Sequence, residues 1–132
     1  MNREIAKIKR ALCDAVDVMH LDQQNSEWSK AQSSEARRIF ILQEAQELLA
    51  TNEPDLLFSE MNDVLAQLLA LILRYVELGY DPNFMLGNRI LHKYRHRKPH
   101  IFSDEYKPIQ KELEYWQKAK EQEKSANAKS PL

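Results

Sequence analysis

Four carboxylates stand in two pairs along the chain. Glu44 and Glu47 are three positions apart, and so are Glu60 and Asp63. Residues three apart share one face of a helix, so each pair can converge on a point. Oxygen-only ligands suit a hard divalent cation, Mg²⁺ or Mn²⁺, better than zinc. At about 100° per residue, Glu60 and Asp63 share their side with Leu57, Val64 and Leu71, while Ser59, Asn62 and Glu77 project elsewhere. Glu44 and Glu47 border Ile41, Ala45, Leu48 and Leu49, with Phe40 beside them. Carboxylates directed inward repel one another and lose hydration, at roughly several kcal/mol per ion without compensation. A bound cation relieves both penalties. The competing reading is that Glu-x-x-Glu pairs on surface helices simply face water. A ferritin-like di-iron site would require Glu-x-x-His pairs, and no Glu here is followed three residues later by His.

A second group of residues is basic and aromatic. Residues 92–100 read HKYRHRKPH. Lys93 and Arg97 are four apart and share a face, an arrangement that can neutralise a polyphosphate. Arg95, Lys98 and three histidines widen the positive patch. A solvated helix end is the alternative, because cations are favoured near a helix C-terminus. Further on, Trp116 can stack on a base or anchor its helix to the core, with Lys120 one turn later. The four histidines show no ligand spacing.

These residues need helices to position them. Ile5, Ile8, Leu12, Val16 and Met19 recur every three or four residues and predict a first helix over about 3–21, its apolar stripe facing the core. Residues 22–29 read as a connection. A second helix is expected over about 30–51, ending before Pro54. Pro54 suits the start of a third helix running to about Leu78 and ending at Gly79. Asp81 and Pro82 read as an N-cap and first helical residue of a fourth helix over 82–97. Pro99 ends it, residues 100–104 are irregular, and a last helix covers about 105–124. Residues 125–132 read as a disordered tail behind a single domain over 1–124. Twelve residues separate the two acidic pairs, enough for an antiparallel hairpin.

Composition supports an all-α fold. The chain has 132 residues, 43% hydrophobic and 30% charged, with only two glycines. That scarcity excludes Gly-rich phosphate loops. Nineteen basic against twenty acidic residues give a net charge of −1, which argues against a dedicated nucleic-acid binder. The single cysteine, Cys13, excludes an intramolecular disulfide. The longest apolar run, Val64 to Leu73, is broken by Gln67 and is short of the ~20 residues a membrane span needs. The N-terminus lacks a signal-peptide core. A cytoplasmic protein is expected.

The ordered set of motifs resembles the MazG-type all-α nucleoside triphosphate pyrophosphohydrolases. QEAQE at 43–47 and EMND at 60–63 match that family's paired acidic motifs. Lys93, Tyr94 and Arg97 match its Lys-aromatic-x-x-Arg element, and Pro99-His100-Ile101-Phe102 its Pro-His-hydrophobic-Phe turn. Trp116 and Lys120 match its Trp-x-x-x-Lys motif, and Trp28 with Gln32 an upstream Trp…Gln element. The resemblance spans about residues 28–124. It departs at Gln43, where Glu is usual, at Asn62, where Gly is usual, and at Leu91, where Asn is usual.

The resemblance implies hydrolysis of an NTP or dNTP to the monophosphate and pyrophosphate, in nucleotide-pool house-cleaning. It implies Mg²⁺ (Mn²⁺ as a substitute) held by Glu44, Glu47, Glu60 and Asp63, with Glu47 as general base. Lys93 and Arg97 would stabilise charge on the phosphates, Trp116 would pack on the base or sugar, and Lys120 would reach the nucleotide. The departures keep a second reading open, a weakened relative that binds nucleotides or a protein. The implied fold is a helical bundle of about five helices per chain, its four-helix core completed in a homodimer or higher assembly. The apolar character of the third helix on nearly all sides agrees with that. No membrane or nucleic-acid partner is expected.

Overall fold

A computed structural model describes residues 1–103 and 105–129, the side chains of 127–129 excepted. The described residues form seven α-helices and one 3₁₀ turn, with no strand. The helices are α1 (Asn2–Asn25), α2 (Glu27–Ala31), α3 (Ser34–Ala50), α4 (Pro54–Glu77), α5 (Pro82–Met85), α6 (Gly87–Arg97) and α7 (Ile109–Lys129), and the 3₁₀ turn covers Pro99–Phe102. The all-α class expected from composition is what the chain adopts. Two compact units are present, Met1–Tyr80 and a second beginning at Asp81.

In the first unit, α4 packs against both α3 and α1. The hairpin that carries the acids is built from local signals. The Ser33 hydroxyl caps α3 by accepting from the Ala36 amide at 3.0 Å, which satisfies one of the helix's orphan donors. Pro54 opens α4, where its missing N–H costs nothing. Gly79 follows α4 at φ +98°, a conformation that favours glycine. The region 22–29, expected as a connection, is mostly helical. Helix α1 continues to Asn25, and Ser26 then caps the short α2 by accepting from the Ser29 amide at 3.2 Å. The polar residues there do not break the helix, because Gln23 is buried and donates to Glu77 Oε2 at 3.4 Å.

The stripe on α1 is also placed differently from expectation. Ile5, Ile8, Leu12 and Val16 are 41–52% exposed. Helix α4 buries little of itself as well. Across the described residues the only fully buried apolar side chains are Ala70 and Ala119. By length and composition α4 is apolar enough to cross a membrane, which corrects the reading that no segment could. Gln67 interrupts the longest apolar run but not the helix around it.

In the second unit, Asp81 caps α5 by accepting from the Asn83 amide at 3.3 Å, with Pro82 in the first turn, as expected. The expected helix over 82–97 is broken at Leu86, whose ψ of −95° leaves the helical region and separates α5 from α6. The last helix begins at Ile109, since Pro108 lacks the donor to continue a helix from before it. It runs through Lys129, so Ser125–Lys129 are helical where a disordered tail was expected. Alanines at 126 and 128 favour helix. Residues 130–132 of that expected tail, and Asp104 of the expected irregular stretch, lie outside the described residues.

Candidate functional site

The first unit gathers carboxylates in the half of the α3–α4 hairpin nearer its turn. Glu44, Glu47 and Glu60 each offer an oxygen, and these atoms lie within 4.8 Å of one another. Two turns of α3 and α4 suffice to assemble them, because each helix contributes from a single face. Asp63 stands outside that trio but close enough for its charge to act on Glu44 and Glu60.

The cluster is electrostatically unbalanced. Glu44 Oε2 and Glu60 Oε2 are sealed from water with no hydrogen-bond donor. The Glu44 carboxyl is held above the usual carboxylate range, first by sharing a hydrogen bond with Glu47. Burial and the charges of Glu47, Asp63 and Glu60 push in the same direction. Glu60 is raised chiefly by burial, then by the charges of Glu47 and Asp63. Unsatisfied buried acceptors surrounded by like charge are costly. An all-oxygen donor set with two orphaned oxygens fits a hard cation.

Two turns along the same hairpin lies a pair that sequence reasoning did not single out. Arg37 is seven residues before Glu44, and Gln67 seven after Glu60, so both pairs lie on the same faces. Arg37 Nη1 donates to Gln67 Oε1 at 3.0 Å. The Arg37 guanidinium lies 5.3 Å from the centre of the Trp28 ring, which stacks on Phe40 at 5.6 Å. Gln32 donates to the Trp28 carbonyl at 3.0 Å. The visible signal was Gln67 itself, a polar residue inside the longest apolar run.

The cationic residues belong to the second unit. Lys93, Arg97 and Lys120 line a cavity of about 1010 Å³, with Arg89, His92 and Lys124 among its other walls. Sharing one face of α6 brings Lys93 and Arg97 to this cavity together. Arg97 is not free there. Its Nε and Nη2 reach Glu123 Oε2 at 3.1 and 2.7 Å, a 26-residue separation that no local pattern reveals. Trp116 is half-buried, with Tyr94 edge-on at 5.6 Å and the Arg97 guanidinium over it at 4.6 Å. These contacts make it a packing centre of the α6–α7 pair. His100 is buried in the 3₁₀ turn and its Nε2 pairs with Glu112 Oε1 on α7 at 2.6 Å.

No protein-family model matches the chain, and no curated protein matches it. Its structure is similar to the crystal structure of a MazG-related protein from Thermotoga maritima. The likeness covers 82% of this chain and 97% of that one at a TM-score of 0.72 and 20% identity. Agreement over most of both chains is agreement in helix order and packing, and it shows that this chain has the all-helical fold of a MazG-related protein.

Proposed function

We propose that the chain is a Mg²⁺-dependent nucleoside triphosphate pyrophosphohydrolase, cleaving an NTP or dNTP to the monophosphate and pyrophosphate. The observation that carries this reading is the convergence of Glu44, Glu47 and Glu60 with two carboxylate oxygens buried and donorless. The MazG-related fold supports it. Glu44, Glu47, Glu60 and Asp63 would hold the cation, which would supply Lewis-acid polarisation of phosphate oxygens. Glu47 is the exposed member of the trio and is the base that takes the proton from the attacking water. Lys93 and Lys120 neutralise charge on the phosphates. Arg97 contributes while anchored by Glu123, and Trp116 packs on the base or sugar.

The chain works as a homodimer or higher assembly in this reading. Among the described residues, a lone chain leaves the α1 stripe open and buries almost no large apolar group, which favours a second copy covering it. A binding-only relative is the second reading, favoured by the commitment of Arg97 to Glu123 and by Gln43 and Leu91. Incubation with a panel of nucleoside triphosphates and Mg²⁺ tests the proposal. Monophosphate plus pyrophosphate, lost on chelation, is the expected result. Nucleotide binding without turnover, with Mg²⁺ and Mn²⁺ both tried, would select the second reading.

A further inference from the structure

Arg37 is the most anomalous cation in the first unit. It is 2% exposed, and its Nη2 is buried without any hydrogen-bond partner. Its one polar contact is neutral, the Gln67 amide oxygen. The acid whose charge reaches it, Asp22, already accepts from the Ser29 hydroxyl at 2.5 Å. A buried guanidinium without an ionic partner is costly, and an unused donor on it adds to that cost. Packing alone gives no reason for the charge, since leucine or methionine would fill such a site without it.

Its location suggests what would use the donor. Arg37 and Gln67 lie on the hairpin face that carries Glu44 and Glu60, two helical turns away, or about 10.5 Å along the axis. A nucleotide whose phosphates sit at the carboxylate cluster reaches that distance with its base. The Trp28 ring lies over the guanidinium and is itself 57% exposed. The exposed indole therefore marks the side from which a base would approach the guanidinium.

Arginine donates and never accepts. It complements base edges that present a carbonyl oxygen, as the O6 and N7 edge of a 6-oxopurine does, and opposes edges that present an amino group. Resting on the pyrophosphohydrolase reading, we infer that Arg37 is a specificity-determining residue that donates through Nη2 to a nucleobase carbonyl, selecting oxo bases over their amino counterparts. Gln67 holds the guanidinium through Nη1 and leaves Nη2 unpaired.

The test compares turnover and binding of GTP and ITP against ATP, and of dUTP against dCTP, for the wild type, Arg37→Met and Arg37→Lys. The wild type is expected to favour the oxo member of each pair by about tenfold or more in kcat/KM. Arg37→Met should bring the ratio close to one, while Arg37→Lys, which keeps a donor, should keep its sign. Circular dichroism verifies that each variant is folded. If Arg37→Met does not fold, the wild-type ratio and Arg37→Lys decide. A wild-type enzyme that turns over both members equally, or a folded Arg37→Met that keeps the wild-type ratio, overturns the assignment while leaving the pyrophosphohydrolase reading intact. A wild type that neither binds nor turns over any of the nucleotides overturns both, and the absence of product identifies the broader reading as the one that failed.

Discussion

Glu44 on α3 and Glu60 on α4 meet in the half of the hairpin nearer its turn, each with its Oε2 closed off from water and without a donor. Neither oxygen has any compensation within the first unit, and Glu47 and Asp63 add negative charge to both. Protonation or a bound cation relieves such a pair.

Replacing Glu60 with Gln should remove metal-dependent turnover and relieve the repulsion together. Turnover is expected to fall at least about 100-fold, since changes even in the outer shell of a metal site cost 10–100-fold in affinity. The metal-free melting temperature should be no lower than that of the wild type. A variant with near-normal turnover would remove Glu60 from the site.

Acidity gives a second check on the same cluster. Glu44 and Glu60 titrate higher in the folded chain than in the unfolded one. Between the ordinary Glu value of about 4.3 and those raised values, the folded state holds more protons, so stability falls as pH rises. Full deprotonation leaves the metal-free cluster at its least stable. Mg²⁺ should therefore raise the melting temperature more at pH 8 than at pH 5, because binding competes with protons. Thermal melts with and without Mg²⁺ at the two pH values measure this, and an equal shift at both would contradict it.

Glu112 is expected to behave in the opposite sense. Its hydrogen bond to His100 lowers its carboxyl below the usual range, helped by the charge of Lys98 and opposed by burial. A depressed carboxyl contributes stability above its unfolded value, and that contribution is lost as pH falls through the folded one. Glu112→Gln should melt below the wild type at pH 7. The gap should close in acid below about pH 4.3, as seen in parallel melting curves.

Lys93 lines the cavity of the second unit and forms none of the ion pairs found among the described residues. Lys93→Met should raise KM for a nucleoside triphosphate by about 10- to 100-fold, the worth of a charged hydrogen bond. The difference from the wild type should narrow at high salt. An unchanged KM in steady-state kinetics would place the phosphates elsewhere.

Leu12 lies on the exposed stripe of α1 with Ile5, Ile8 and Val16. Light scattering at micromolar concentration should show a dimer or larger species. Leu12→Glu, which places a charge in the middle of that stripe, should shift the chain toward monomer. A wild-type monomer would show that the stripe is not covered by another copy.

Local chemistry made much of this protein readable from its residues alone. The all-α class followed from periodicity and scarce glycine. The start and end of α4 followed from Pro54 and Gly79, and the start of α5 from the Asp81-Pro82 cap, because each acts on its own turn of backbone. The two acidic pairs were legible because i,i+3 spacing alone puts two side chains on one face. The structure had to decide what depends on contacts between distant residues. It drew Glu44, Glu47 and Glu60 into one trio and left Asp63 at its margin, since the inter-helix register is set by packing and not by spacing. It set Arg37 against Gln67, thirty residues away, and Arg97 against Glu123. It also left the α1 stripe open, because an apolar period shows that a face must be covered and does not say by what.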